Sequence, residues 1–194
     1  MDARELFYQR YDAIHGAFVD DLFAGLTDAQ VRARPHGLNS VAWLVWHATR
    51  VEDAAVSRFV ADRPQVLGEA GWNRRLGADR RDVGSGMNAV EVDALGAQID
   101  PTALRGYARD VADRTRSVVA ALAASAWDEI VPPERVHAVV ADEELLVEAG
   151  RWVEKFWARG HSRGWYLLQT ALLHPYGHWF EALATRGQLG APSR

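Results

Sequence analysis

Residues 39–53 read NSVAWLVWHATRVED, and this stretch sets the architecture. Asn39 or Ser40 supplies a side-chain oxygen able to cap a helix N-terminus. Val41, Leu44, Val45, Ala48, Val51 and Ala55 then recur at three- and four-residue intervals, the stripe of a helix that buries one face. The spacing predicts a helix from the cap to about residue 61. His47 falls among the apolar positions, one turn from Trp43, Leu44 and Val51, so its ring is directed at the interior of whatever this helix packs against.

Working upstream, Phe7, Tyr11, Ile14, Phe18, Leu22 and Leu26 lay out a first amphipathic helix over residues 4–26. Thr27 and Gln30 have capping-box spacing for a short turn of helix, which Pro35, His36 and Gly37 terminate. Downstream, periodicity is lost over residues 62–100, where six glycines mark a long irregular connection with one short helix near residues 89–95. Asp100 and Pro101 place a cap and a first-turn proline ahead of a third helix, to about residue 125. Pro132 and Pro133 force a break. Leu145, Ala149, Trp152, Val153 and Phe156 suggest an added helix of roughly four turns, and residues 136–140 allow a short strand. Gly160 closes this insertion, Ser162 caps a last long helix, and Trp165, Leu168, Leu172, Trp179 and Leu183 form its stripe. Four long amphipathic helices without alternating strands indicate an all-α chain. The expected architecture is a four-helix bundle with a long crossover and an extra helical insertion, in one domain over residues 1–194.

Composition narrows the chemistry. The 194 residues are 48% hydrophobic and 25% charged, with a formal net charge of -4. Acids and bases are interspersed, so there is no basic stripe for a nucleic-acid backbone, and no apolar run nears the length that crosses a bilayer. The N-terminal stretch lacks the pattern of a secretory signal, which makes the cytoplasm the expected address. Lys155 is the only lysine beside abundant Ala, Arg, Gly and Val, a bias that fits a GC-rich bacterial genome such as an actinobacterial one. The chain has no cysteine. Thiolate metal sites and cysteine nucleophiles are excluded, and any sulfur chemistry needs a thiol from outside.

His174 and His178 are four residues apart, so in a regular helix both imidazoles stand on one face about 5 to 6 Å apart. Two imidazoles rarely hold an ion durably, and His47 is the best third candidate because bundles assemble sites from facing helices. Against this stands the plainer alternative of core histidines satisfied by single hydrogen bonds. Pro175 and Gly177 lie between the pair and disfavour a regular helix there, through a kink, a restart or a break into two helices.

With these residues in view, NSVAWLVWHATRVED (39–53) resembles the second-helix motif of the DinB/YfiT-like metalloenzyme superfamily, to which mycothiol-dependent maleylpyruvate isomerase is related. LLHPYGHWFEAL (172–183) is similar to its last-helix motif, and LTDAQVRARPHG (26–37) to its approach to helix two. The resemblance covers the four long helices in order and is weaker over residues 62–100 and 132–160. It implies a four-helix bundle in which His47, His174 and His178 bind a divalent metal, zinc or nickel first and iron as an alternative. It also implies a low-molecular-weight thiol, such as mycothiol or bacillithiol, as cosubstrate. The family's frequent His-Arg-Gly-Gln ending is here His178-Trp179-Phe180-Glu181.

A three-histidine site leaves coordination positions open, which suits catalysis or ligand binding better than a structural role. Glu181, three residues after His178, is the candidate hydrogen-bond acceptor or proton relay. The alternative is a solvated surface glutamate. Trp43 shares a face with His47, and with Trp46, Trp165 and Trp179 it offers aromatic walls for a substrate. Arg50 is a candidate to bind a substrate carboxylate or hydroxyl. Residues 72–75 (WNRR) are placed to close over the mouth, and residues 79–82 (DRRD) read as mixed surface charge. The leading expectation is a metal-dependent thiol transferase or isomerase acting on a small molecule. The alternatives are a non-catalytic small-molecule or metal-binding protein of the same fold, and a metal-free relic whose histidines pack. No nucleic-acid or membrane partner is expected, and a homodimer is left open.

Overall fold

The computed structural model describes residues 2–16, 20–69 and 71–190. Helix α1 (Ala3–Gly16) buries Phe7, Tyr11 and Ile14 and is shorter than the sequence stripe. Residues 22–25 are a turn, and Phe18 lies outside the described residues. Leu22 is nevertheless buried, because Arg186 Nη1 donates to the carbonyls of Leu22 (2.7 Å) and Ala24 (3.0 Å) and pins the turn to the last helix. Helix α2 (Asp28–Arg32) starts at Thr27 with both halves of the capping box formed, and Pro35–Gly37 make a 3₁₀ turn.

Ser40 caps α3 (Val41–Asp53), accepting from Trp43 N at 3.1 Å. The helix runs on as a π-helical segment, Ala54–Val60. Every residue of α3 is buried, so it is the central helix and not a surface helix with one wet face. Its polar side chains are accordingly paired. The Asp53 carboxylate accepts from the backbone N–H groups of Val66 and Leu67, both at 2.9 Å, from Tyr107 at 2.7 Å and from Ser57 at 2.9 Å. Glu52 accepts from Tyr11 and from Thr115.

The connection carries three short helices, α4 (Val66–Glu69), α5 (Trp72–Arg75) and α6 (Ala89–Gln98), the last capped by Asn88. Asp100 caps α7 (Pro101–Ala121), accepting from Ala103 N at 2.7 Å, and the chain leaves the helix at Leu122. Residues 136–140 belong to a helix, α8 (Pro133–Asp142), and not to a strand. Val136, Val139 and Val140 share its buried face, a three- and four-residue spacing that serves a helix and leaves no alternation for a sheet. The four-turn helix expected from Leu145 is broken into a 3₁₀ turn, Glu148–Gly150, and the six-residue α9 (Trp152–Trp157).

Ser162 caps α10 (Arg163–Leu168), a π-helical segment covers Gln169–Leu173, and α11 (His174–Gln188) continues without a break. The extra residue in the π turn shifts the phase. Thr170, Ala171, Leu172, Pro175, Ala182 and Thr185 face inward, whereas Leu168 and Leu183 of the expected stripe are exposed. Helix α3 packs against α7 and α11, α10 packs against the π-helical end of α3, and α1 lies on α7. This is the four-helix bundle, all-α, with the connection and the 133–157 insertion closing one side. Among the described residues no helix is long and apolar enough to cross a membrane.

Gly106, inside α7, lies under Trp72, where a Cβ would stand 2.5 Å from the indole ring. Exchanging a helix-interior glycine for alanine ordinarily gains about 1 kcal/mol, but here the clash reverses the sign. Gly106→Ala should destabilise by about 1–3 kcal/mol, while Gly177→Ala, whose Cβ meets nothing within 4 Å, should stabilise by about 0.5–1 kcal/mol. Urea denaturation of the two variants checks the opposite signs.

Candidate metal centre

Helices α3 and α11 bring His47, His174 and His178 together. Their ring centroids form a near-regular triangle, 4.9 Å for His47–His174, 4.9 Å for His47–His178 and 4.5 Å for His174–His178. One nitrogen from each lies within 4.8 Å of the others. Pro175 does not break the helix. It occupies the first turn of α11 directly after the π segment, where the His174 N–H reaches back to the Gln169 carbonyl. The widened turn relieves the crowding a proline ring imposes on the preceding carbonyls, so both histidines stay on one continuous helix.

Hydrogen bonds select the nitrogen each ring presents. His47 Nδ1 contacts the Val83 carbonyl at 2.5 Å, so Nδ1 carries the proton and Nε2 is the free lone pair. His178 Nδ1 faces Glu181 Oε2 at 3.0 Å, and a carboxylate only accepts, so its Nε2 is free as well. The Nε2 atoms of His178 and His174 are 3.2 Å apart. Ligands about 2.0–2.1 Å from a tetrahedral ion are separated by about 3.3–3.4 Å, so this spacing fits two ligands of one cation. Nδ1 of His174 is buried without a hydrogen-bond partner among the described residues. Glu181 is half-buried rather than solvated. Its other oxygen accepts from Asn39 Nδ2 at 2.9 Å, and these bonds, the one from His178 foremost, hold its carboxyl below the usual range against the opposing effect of burial.

Burial, followed by repulsion from His178, lowers the His47 pKa to about 4 despite the Val83 carbonyl. Burial, with His47 and His178 behind it, pushes His174 well down. Both imidazoles are therefore neutral at neutral pH, each with a lone pair on its unprotonated nitrogen.

The Val83 carbonyl is set by its loop, one segment of the long connection. Asp82 is buried, not a surface charge. Its carboxylate accepts from Gly84 N at 2.8 Å and from Arg80 Nε at 2.9 Å. Val83 N donates to the Leu145 carbonyl at 2.9 Å. Gly84, at φ +86°, passes so close to α3 that a Cβ would sit 2.5 Å from the Trp46 ring. Gly150 of the insertion touches the Ser85 backbone just as closely.

The histidines line a cavity of about 480 Å³. Trp43 is part of its wall and stacks on His47 at 4.7 Å and 14° between planes. The remaining aromatic wall comes from Trp152, Phe156 and Trp157 of α9, which sequence reasoning missed because nothing local in the insertion reports where it docks. Trp46 packs in the core behind Gly84, Trp165 stacks on His161 at 3.5 Å, and Trp179 packs at the edge of the core that α3 and α7 share. Arg50 does not reach the cavity. It is fully buried, where its guanidinium donates to Gln65 (2.7 Å), Tyr107 (3.1 Å) and the Arg81 carbonyl (2.5 Å) beside Asp53. Its work is to tie the connection to α3. Residues 72–75 do not cover the mouth either, since Trp72 is buried against α7 and donates to Asp110. The other histidines are elsewhere: His15 against Glu52, His36 exposed in its turn, His137 on Glu154 and His161 on Trp165.

Because His47 and His174 resist protonation, the unfolded chain binds protons that the folded metal-free chain refuses between pH 6.5 and about 4. Stability should therefore fall as pH drops through that window, by up to about 1.4 kcal/mol per pH unit for each histidine. Urea titrations across the window should show a flatter dependence for His47→Gln; equal slopes would contradict the assignment.

Residues 16–154 match the DinB superfamily. That match takes in His47 and stops short of the last helix. The fold is similar to a crystal structure of a conserved protein from Enterococcus faecalis, with a TM-score of 0.72 and 18% identity over 97% of both chains. No curated protein matches the sequence. On the family match, which spans well over half of its length, the chain belongs to the DinB superfamily.

Proposed function

We propose that His47, His174 and His178 hold one divalent metal ion and that the cavity beside them is the active site of a thiol-dependent transferase or isomerase. The observation that carries the reading is the convergence of three imidazoles on one point of a cavity wall, two of them oriented from behind by Val83 and Glu181. Such outer partners fix the tautomer and raise ligand basicity. The donor set also fits the ion chemically. Neutral imidazoles suit zinc, nickel and iron, and three of them leave positions for exogenous ligands.

When bound, the ion would supply Lewis-acid stabilisation of an anionic donor, such as a thiolate, near neutral pH. The chain's own residues do the rest. The Val83 carbonyl keeps the proton of His47 on Nδ1, and Glu181 does the same for His178. Trp43 covers one face of His47, and Phe156 and Trp157 of α9 shield that side of the cavity from water, which strengthens electrostatic interactions inside it. Glu181 acts as a positioning residue, its two oxygens being engaged by His178 and Asn39. The absence of cysteine supports an exogenous thiol as the source of nucleophilic sulfur. Mycothiol as that thiol, and a cytoplasmic address, are part of the proposal.

A second reading, a non-catalytic binding protein, is favoured by one observation. Among the described lining residues there is no side-chain acid or base apart from the three histidines. Turnover of small electrophiles that requires both metal and a low-molecular-weight thiol separates the two readings.

Calorimetric titration of the metal-free protein with zinc or nickel should reach one equivalent. His47→Ala, His174→Ala and His178→Ala should each weaken binding by at least a hundredfold, and Glu181→Gln by about 10- to 100-fold. Alanine variants of His15, His36, His137 and His161 should bind as the parent does. Unchanged affinity in the first three variants would overturn the assignment.

A further inference from the structure

Resting on the metal reading above, we propose that the cavity selects ligands that join one anionic donor atom to an uncharged, largely aromatic body, and rejects polyanions. The walls account for the first half of this selectivity. Trp43, Phe156, Trp157, Val51 and Val153 make the interior apolar, and the volume of about 480 Å³ falls in the range of sites that enclose a small organic molecule. Trp152 stands at the cavity edge with 66% of its surface exposed. A large aromatic left this open beside a cavity has a face available for a ligand ring.

Charge carries the second half. Among the described residues that line the cavity there is no lysine, arginine, aspartate or glutamate. Arg151, next to Trp152, is paired with Glu148 at 2.8 Å and Glu154 at 3.5 Å. A carboxylate or phosphate on the body of a ligand would thus lose its hydration without meeting a cation. The ion and its surroundings ask for a single negative charge. A dication on three neutral imidazoles is offset by the Glu181 carboxylate behind His178, and one anionic donor completes neutrality.

The polar side chains set what else the body carries. Thr170 donates to the Tyr166 carbonyl at 2.7 Å, Trp43 Nε1 to Met87 Sδ at 3.3 Å and Asn39 to Glu181 at 2.9 Å. Ser85 and Gln169 line the same cavity, and their side chains have no hydrogen-bond partner among the described residues. They suit neutral hydroxyl or amide groups, which need hydrogen bonds and no counter-charge.

The test uses the full chain loaded with cobalt(II), whose absorption reports thiolate binding directly. It compares phenylmethanethiol, 2-mercaptoethanol and 4-(mercaptomethyl)benzoate, whose carboxylate lies too far from its sulfur to chelate the ion. Phenylmethanethiol should bind at least tenfold more tightly than either 2-mercaptoethanol or 4-(mercaptomethyl)benzoate. Trp152→Ala should weaken phenylmethanethiol threefold or more and leave 2-mercaptoethanol unchanged, which also shows the variant to be folded. 4-(Mercaptomethyl)benzoate binding as tightly as phenylmethanethiol, or a Trp152→Ala effect equal for both neutral-bodied thiols, would overturn the proposal. A metal-free arm keeps the two readings apart. Calorimetry should detect 2-naphthalenemethanol in the cavity and no binding of naphthalene-2,6-dicarboxylate. Failure to take up cobalt would remove the metal reading and the anionic donor with it. Equal binding of the two naphthalenes would remove the selectivity whatever the metal does.

Discussion

The site depends on one turn of backbone, the π-helical segment Gln169–Leu173. A proline in a helix interior lacks a donor and presses its ring on the carbonyl of the preceding turn, at about 3 kcal/mol or more. Placing an extra residue in the turn before Pro175 widens the helix at that point. The chain then stays helical through His174, Pro175 and His178. The same insertion rotates everything after it relative to α10. Thr170 and His174 thereby face the cavity together, and His178 approaches His174 to 3.2 Å.

A rigid last helix is useful only if its counterpart is equally fixed, and α3 meets that condition by being buried on all sides. Burying Glu52, Asp53 and Arg50 in one helix would be destabilising if any were unpaired. Each instead anchors a neighbouring element: Glu52 holds α1 and α7, Asp53 holds α4 and α7, and Arg50 holds the connection. The connection in turn delivers the Val83 carbonyl to His47. The polar interior that fixes the bundle and the hydrogen bond that orients the first histidine are therefore parts of one network.

Local signals were legible in the sequence. The caps at Thr27, Ser40, Asp100 and Ser162 form as expected, because a side-chain oxygen satisfying a helix N–H is decided within three residues. The shared face of Trp43 and His47 followed from helical spacing, whereas the meeting of His47 with the pair on the last helix was expected from bundle packing and the family resemblance. The phase of the last helix did not follow from spacing: Leu183 lies beyond an insertion that a 3.6-residue period does not anticipate, and Leu168, ahead of it, falls outside the buried Gly164, Tyr166 and Leu167 of α10. Arg50 was misread for a different reason. Its position one turn from His47 is correct, but only the packed connection reveals that Gln65, Tyr107 and Arg81 already occupy its guanidinium. The α9 wall was invisible because an insertion's docking surface is a long-range property.

Whether the three imidazoles share one ion is decided by X-ray absorption at the K-edge of bound zinc or nickel. The expected spectrum shows three imidazole nitrogens at about 2.0–2.1 Å from the ion, with the multiple-scattering pattern of histidine rings, reduced to two in His47→Ala. A shell of oxygen atoms alone, or one unaltered by removing His47, would contradict it.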